Sequence, residues 1–242
     1  MGILRNVLSS LGSLPLLKKP MRWLRKRLYG ISQEQLYREI HTPEFEALQI
    51  RFSDGGKIDP TVRLKDPTKY VLELKRVLNH NLHLAENLEL YGRPSMSILD
   101  LGCGPGYFVK ISNMFGHRAV GLDIDESDIF REVNKLLKQT RIIRRINPFE
   151  ALPELTGAPY DLITAFAICF NGHHSSALWG PKEWAFFLDD IRRFMKPGGK
   201  LHLMLNAELN VPQEIQYYTP ELKEFFLQRG GVIDGPRVTL TY

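Results

Sequence analysis

The sequence predicts an α/β fold: a doubly wound, mostly parallel seven-stranded sheet with helices on both faces and a C-terminal antiparallel hairpin. Three observations carry this prediction. From about residue 96 onward, strand and helix patterns alternate along the chain, as expected for a parallel sheet. Residues 98–106 read Ile-Leu-Asp-Leu-Gly-Cys-Gly-Pro-Gly, an apolar run that ends in an acid and a glycine turn. Near the C-terminus, two β-rich runs flank Asp234-Gly235-Pro236, which indicates a hairpin.

The same patterns place the individual elements. Parallel strands are expected at 97–101, 118–122, 142–146, 160–166 and 200–206. The helices between them are expected at 105–115, 126–139 and 181–195, and the turn Pro197-Gly198-Gly199 is expected to terminate the last one. A long helix is expected from Asp66 to Tyr91, and a shorter one from the N-cap Thr219 to about Gln228.

Composition divides the chain into three segments and excludes several classes of protein. We expect a basic amphipathic extension at 1–33, a helical lead-in at 34–92 and the α/β domain at 93–242. Two cysteines, Cys103 and Cys169, give no disulfide framework. The sequence contains no run of 18 apolar residues, so we expect no membrane-spanning helix. Residues 1–33 hold seven basic side chains and no acid. Because the whole chain carries +5, residues 34–242 sum to −2, which argues against a broad nucleic-acid surface there.

The basic leader leaves three interpretations open. Leu4, Val7, Leu8, Leu11 and Leu14 recur at helical spacing, and a basic stretch with Trp23 follows. Residues 1–30 therefore suit peripheral contact with an anionic membrane or docking on a partner. An acid-free, arginine-containing leader also suits an organelle transit peptide, and the third interpretation is an exposed extension or a helix docked on its own domain. We expect a cytoplasmic protein, with membrane contact and organelle targeting left open and the oligomeric state not predicted.

The glycine turn and a second acid predict a site for an adenosine-type cofactor. Gly102, Gly104 and Gly106 allow positive φ and close approach of a ligand to the backbone, and the following helix offers unpaired N–H groups. The Gly-x-Gly-x-Gly spacing differs from the Gly-x-Gly-x-x-Gly fingerprint of NAD-binding loops. Asp123 ends the second strand 21 positions after Gly102, where a carboxylate binds ribose hydroxyls. Asp125 is the alternative, or else the N-cap of the next helix.

The stretch around Gly102 resembles motif I of the class I S-adenosylmethionine-dependent methyltransferases, and the segment 194–201 resembles the turn before that family's fifth strand. The resemblance covers roughly residues 65–242 and implies a Rossmann-like methyltransferase domain with S-adenosylmethionine as cofactor. It implies that Asp100 holds the amino-acid part of the cofactor and that Ile124 packs on adenine. It places the cofactor-binding residues at Asp100, Gly102, Cys103, Gly104, Gly106, Asp123, Ile124, Asn147 and Phe149. Asn147 would bind the adenine edge, or alternatively cap a proline turn.

The loop after the fourth strand is the expected acceptor site. His173 and His174 are the base candidates for a hydroxyl acceptor, with His173 favoured; alternatively both only hydrogen-bond within the loop. No third ligand at motif spacing suggests a metal. The loop lacks the Asn/Asp-Pro-Pro-Tyr tetrapeptide of nucleobase-methylating relatives, and Ala167 stands where many relatives have an acid.

The pattern from Trp179 to Trp184 resembles methyltransferases of surface-glycan biosynthesis, although both indoles also suit packing against the sheet. We therefore expect O-methylation of a small molecule or glycan. The alternatives are a non-catalytic cofactor-binding scaffold and an NAD-dependent oxidoreductase.

Overall fold

The computed structural model describes residues 18–53, 66–168, 178–207 and 212–242. The helices are α1 (Lys18–Tyr29), α2 (Gln33–Ile40), α3 (Pro43–Ser53), α4 (Lys69–Leu72), α5 (Leu74–Asn87), α6 (Tyr107–Met114), α7 (Asp128–Leu137), α8 (Pro181–Arg192) and α9 (Pro220–Gln228). The strands are β1 (Ser97–Leu101), β2 (Arg118–Asp123), β3 (Arg141–Ile143), β4 (Tyr160–Ile168), β5 (Met195–Leu205), β6 (Val232–Asp234) and β7 (Arg237–Thr241). A 3₁₀ turn lies at Gln213–Ile215.

Contacts divide the described chain into two compact units. The helical unit holds the described residues up to Met96 together with Gly104–Ala119 and Asp125–Thr140. The sheet unit holds Ser97–Cys103, Val120–Ile124 and the described residues from Arg141 onward. The predicted segment boundaries at residues 33 and 92 stay a prediction.

The predicted sheet is confirmed. Its seven strands run in the order β3-β2-β1-β4-β5-β7-β6. The pairs β1–β4, β2–β3 and β4–β5 are parallel, whereas β7 pairs antiparallel with β5 and β6. One face packs α8 and α9 onto a core that includes Leu99, Ile163, Trp184, Leu203 and Phe226.

The register aligns a polar row across four strands of the sheet unit. Asp100 lies opposite Thr164, Thr164 opposite His202, and His202 opposite Thr239. Because residues in register lie on the same face of a sheet, these four side chains share one face, opposite the face that carries the apolar core. The pairing thus places Asp100 at one end of a continuous polar row.

Three predicted boundaries are wrong, each for a local reason. β3 ends at Ile143 rather than 146, where the pairing with β2 ends at Asp123. The expected helix at 66–91 is two helices separated by Glu73, whose φ of −107° and ψ of 40° break the helical path. α8 ends at Arg192 rather than 195, and the Lys-Pro-Gly-Gly turn lies inside β5, in a register irregularity between the pairs Tyr160–Met195 and Leu162–Lys200.

The remaining termini follow the sequence closely. Pro181 occupies the first turn of α8, and the backbone N–H of Gly180 donates to Glu183 at 3.0 Å. Thr219 caps α9 by accepting from the backbone N–H of Leu222 at 3.1 Å. The predicted hairpin is formed by β6 and β7. No helix in the described part of the chain is long and apolar enough to cross a membrane.

The helical unit packs α5 against α2 and α6. Leu36, Phe45, Val71, Leu78 and Tyr107 are buried in it. The Tyr107 hydroxyl donates to the backbone carbonyl of Tyr70 at 2.7 Å and so joins α6 to α4. The segment that follows the glycine turn is therefore held by side chains of its own unit.

Candidate active site

Asp100 is a buried carboxyl at the end of β1. Its Oδ1 accepts a 2.7 Å hydrogen bond from the hydroxyl of Thr164 on β4. Burial raises the pKa of Asp100 to about 7; the Thr164 hydrogen bond lowers it and the charge of Asp123 raises it. A cationic group placed against this carboxylate would relieve the burial cost, so the position suits an ammonium ligand.

The first part of the glycine turn is fixed by the neighbouring strand β2. The backbone N–H groups of Gly102 and Cys103 both donate to the Leu122 carbonyl, at 2.7 and 3.2 Å. Gly102 has φ of +67°, and a Cβ there would meet no atom within 4 Å. Open space beside a left-handed glycine leaves the backbone approachable by a ligand. The Cys103 thiol is buried, which raises its pKa well above the ordinary value.

The second part of the turn is fixed by Asn134 of α7. Asn134 is buried, and its Nδ2 donates to the Gly104 carbonyl at 2.7 Å and to the Phe130 carbonyl at 2.8 Å. Gly106 precedes α6 with φ of +80°, and a Cβ there would lie 2.4 Å from Asn134 Oδ1. Glycine is therefore required at position 106 both by backbone conformation and by the close approach of Asn134.

Asp123 and Ile124 lie where β2 ends. Asp123 Oδ1 accepts from the backbone N–H of Ile124 at 2.7 Å, and both residues are half-buried. Asp125 is exposed and its Oδ2 lies 3.1 Å from Arg131 Nε. The alternative that Asp125 caps the next helix is wrong, because Ser127 is the N-cap of α7 and accepts from the Phe130 N–H at 3.3 Å.

Asn147 and Phe149 form a turn after β3. Asn147 Nδ2 donates to Glu150 Oε2 at 2.7 Å, and its assignment to the adenine edge or to a cap stays a prediction. Phe149 has φ of +59°, is 55% exposed and contacts the Phe186 ring edge-on at 5.9 Å between centroids. A side chain in this left-handed conformation is uncommon and carries local strain, which is typical of functional turns.

On the acceptor side, His173 and His174 lie outside the described residues, so their assignment as bases stays a prediction. Ala167, just before them, has φ of +53° and is exposed at the end of β4. Trp179 and Trp184 are buried and pack edge-to-face at 5.3 Å. Both indoles belong to the core of the sheet unit, which confirms the expected packing against the sheet.

Three polar residues of this region were not found by sequence reasoning: Thr164, Asn134 and His202. His202 Nδ1 lies 2.9 Å from Thr239 Oγ1, and burial, followed by the charge of Arg237, lowers its pKa to about 4. Thr164 and His202 each interrupt an apolar strand, and Asn134 lies on the buried face of an amphipathic helix. A polar residue on an otherwise buried face was the available signal.

A buried acid and a glycine turn at the carboxyl ends of parallel strands define the class of Rossmann-like cofactor-binding proteins. Within that class, a family model described as "Methyltransferase domain" matches residues 70–225, which is more than half of the chain. The chain belongs to this methyltransferase family. It is a class I methyltransferase, and S-adenosylmethionine is its cofactor. Comparison with curated proteins gives no match.

Comparison with solved structures gives several matches at low sequence identity, of which DesVI supports the fold. DesVI from Streptomyces venezuelae is 12% identical with a TM-score of 0.50, over 76% of this chain and 98% of DesVI. PH0226 from Pyrococcus horikoshii OT3 is 17% identical with a TM-score of 0.49, over 77% of this chain and 99% of that protein. YjhP from E. coli is 19% identical with a TM-score of 0.40, over 64% of this chain. The match spans only 65% of YjhP.

Proposed function

We propose that this methyltransferase transfers the methyl group of S-adenosylmethionine to a hydroxyl oxygen of a small molecule or glycan. The observation that carries the cofactor part of the proposal is Asp100, a buried carboxyl that accepts a hydrogen bond from the neutral Thr164 hydroxyl and whose pKa is raised by burial to about 7. Its position directly before the glycine turn suits the ammonium of an amino-acid group.

The proposed cofactor site uses residues of both parts of the glycine turn. Asp100 would bind the ammonium, and Gly102, Cys103, Gly104 and Gly106 would present backbone to the amino-acid part. Gly102 supports this role most directly, because it has a positive φ and a Cβ there would meet no atom within 4 Å. The residues beyond the turn would hold the adenosine. Asp123 would bind the ribose hydroxyls, and the adenine would lie against Ile124, Asn147 and Phe149. An adenine contact by the Nδ2 group of Asn147 would compete with its bond to Glu150.

When bound, S-adenosylmethionine supplies an electrophilic methyl on a sulfonium sulfur. The protein then has to align the acceptor oxygen with the C–S bond and keep water away. A C–O bond forms as the C–S bond breaks, and the sulfonium charge is lost. The hydroxyl proton has to leave, and we assign it to His173, with His174 as the alternative. We place this reaction in the cytoplasm, with peripheral membrane contact as a further proposal argued below.

The first test is thermal stability of the full chain with S-adenosylmethionine, S-adenosylhomocysteine or NAD. A ligand at 100 times its Kd stabilises the native state by about 2.7 kcal/mol, a readily measured shift. We expect stabilisation by both adenosyl compounds and none by NAD. Stabilisation by NAD alone would favour the oxidoreductase alternative instead.

A matched pair of variants tests the ribose assignment. Asp123→Asn is expected to raise the apparent Kd for S-adenosylhomocysteine at least tenfold. The thermal shift at a given concentration of this ligand is therefore expected to be smaller. Asp125→Asn removes an equal charge two residues away, on an exposed side chain paired with Arg131, and is expected to bind normally. Equal loss in both variants would contradict the assignment of Asp123.

A further inference from the structure

One face of α1 is anchored to its own unit by buried and partly buried ion pairs. Arg25 is 4% exposed, and its Nη2 lies 2.6 Å from Glu89 Oε2. Lys26 Nζ lies 2.8 Å from Glu86 Oε2, one turn earlier on the same segment. The guanidinium of Arg22 donates to the Tyr91 hydroxyl at 3.3 Å. These contacts fix the orientation of α1 and therefore which of its side chains face solvent.

The exposed side of α1, away from the buried Met21 and Arg25, carries a basic–aromatic–basic stripe of Lys19, Trp23 and Arg27. These residues follow the i, i+4, i+8 spacing that places side chains on one side of a helix. All three are exposed, Trp23 by 61%. The Arg27 guanidinium lies over the Trp23 ring at 5.3 Å from its centroid. The indole is therefore presented outward together with two positive charges.

A shallow cleft adjoins the stripe. It is lined by Lys19, Arg22, Trp23, Lys26, Glu86 and Tyr91. Among these described lining residues the acid is Glu86, which already pairs with Lys26. The cleft therefore presents basic side chains and the edge of the Tyr91 ring to an anionic group the size of a lipid headgroup. The exposed indole of Trp23 lies beside it.

Within the described part of the chain, the positive charge of α1 exceeds what its ion pairs neutralise. Residues 18–29 hold six basic side chains and no acid. Glu86 and Glu89 are the acids that pair with them. Within the described residues, no ion pair is recorded for Lys19 or Arg27. The excess is local, since residues 34–242 sum to −2.

We propose that the Lys19–Trp23–Arg27 stripe of α1 docks on the surface of an anionic lipid bilayer, with lipid phosphates in the adjoining cleft. Tryptophan is suited to the headgroup region because its ring is apolar and its N–H is polar. Basic side chains near an anionic surface each strengthen binding by about 1 kcal/mol, or roughly fivefold. This docking does not depend on the proposed cofactor site or on the acceptor.

The test is co-sedimentation of the full chain with vesicles of phosphatidylcholine alone or with one quarter phosphatidylserine. We expect binding to the anionic vesicles only, and release in 0.5 M NaCl because exposed charge interactions are screened. The variant Lys19→Glu/Arg27→Glu is expected to bind at least tenfold more weakly, and Trp23→Ser severalfold more weakly.

The matched control is Lys135→Glu/Lys223→Glu, which makes the same change in net charge on exposed residues of α7 and α9. This control is expected to retain most of the vesicle binding. The proposal would be overturned if both double variants lost vesicle binding equally. It would also be overturned if neither double variant changed vesicle binding. Tighter binding to a 20-nucleotide RNA than to anionic vesicles would overturn it as well and would reassign the stripe to nucleic acid. Thermal unfolding of each variant establishes that α1 variants remain folded.

Discussion

The carboxylate of Asp100 and the hydroxyl of Thr164 meet at 2.7 Å between two neighbouring parallel strands, and both side chains are buried. The hydroxyl lowers the pKa of Asp100 and only partly offsets the effect of burial, which raises it to about 7. Burial therefore disfavours the ionised form of Asp100, and a cationic ligand beside the carboxylate would stabilise that form.

Asp100→Asn is expected to separate stability from cofactor binding. Without ligand at pH 8, the variant is expected to be more stable by up to roughly 4 kcal/mol, because a buried charge is removed and each pKa unit corresponds to about 1.4 kcal/mol. Its thermal shift with S-adenosylmethionine is expected to disappear. A less stable variant that still binds the cofactor would contradict both parts.

Thr164→Val provides the companion measurement. Loss of the hydroxyl is expected to raise the pKa of Asp100 further, because a hydrogen bond to the ionised form is lost. Cofactor affinity at pH 7 is expected to fall, and to recover as the pH is raised. An affinity deficit that is independent of pH would indicate a steric effect of the valine.

Asp100 and His202 are expected to give opposite slopes of stability against pH. The folded pKa of Asp100 lies above its ordinary value of 3.8, so the native state binds a proton between about 7 and 3.8 and gains stability on acidification. The folded pKa of His202 is about 4 against an ordinary 6.5, so stability is lost as the pH falls through that window.

Urea unfolding from pH 8 to 4 measures these slopes. Asp100→Asn is expected to lose stability more steeply on acidification than the parent chain, and His202→Asn less steeply. Asn at 202 keeps a hydrogen-bonding group beside Thr239, whose Oγ1 lies 2.9 Å from His202 Nδ1. Parallel curves for all three proteins would show that neither group has the assigned pKa.

Gly106→Ala and Gly102→Ala are expected to differ in stability although both glycines have positive φ. Each substitution carries the left-handed backbone cost of about 1 kcal/mol. At 106 the new Cβ also lies 2.4 Å from Asn134 Oδ1, whereas at 102 it meets no atom within 4 Å. Unfolding of the ligand-free variants is expected to rank Gly106→Ala as the less stable by at least about 1 kcal/mol. Equal losses would show that Asn134 moves aside.

Arg25→Met and Arg22→Met compare a buried with an exposed cation of α1. The Arg25 side chain is 5% exposed and that of Arg22 is 48% exposed. Removing Arg25 leaves Glu89 with weaker partners and is expected to cost about 1–3 kcal/mol, whereas Arg22→Met is expected to cost under about 1 kcal/mol. Denaturant unfolding measures both, and a larger loss for Arg22→Met would contradict this anchoring of α1.

The double variant His173→Ala/His174→Ala tests the proposed base. Once an acceptor is found, its methylation rate is expected to fall by about 10²–10⁴-fold while the S-adenosylmethionine thermal shift stays unchanged. A rate within about threefold of the parent would mean that alignment alone drives the transfer and would remove both histidines from the mechanism.

The sheet was predictable because each parallel strand is a short apolar run followed by turn residues, and β6 and β7 flank an Asp-Gly turn. The errors fall where tertiary pairing overrides a local signal. Lys-Pro-Gly-Gly is a strong turn sequence, yet Gly198 N–H and the Gly199 carbonyl bond to Tyr242, which keeps the segment within the sheet. Glu73 carries no sequence signal for a break, so the division of the helix at 66–91 could not be predicted.

The site was predictable only as far as its backbone motif. Asp100 and the three glycines stand in one contiguous stretch, whereas Asn134 reaches the turn from 28 positions beyond Gly106. The position of Asn134 on the apolar face of α7 marks it as a buried polar residue, but its hydrogen bond to the Gly104 carbonyl depends on how α7 packs, which the sequence does not give. His202 similarly interrupts an apolar strand, but its partners Thr164 and Thr239 follow from strand register.

The three tryptophans of the chain have unequal access to solvent: Trp23 is 61% exposed, Trp179 is 6% exposed and Trp184 is fully buried. Aqueous iodide or acrylamide therefore selects the emission of Trp23, and the red edge of the fluorescence spectrum reports on α1 alone. The fluorescence of Trp23 in the unmodified protein thus reports any binding that covers α1. The emission of the two buried tryptophans reports whether the protein remains folded.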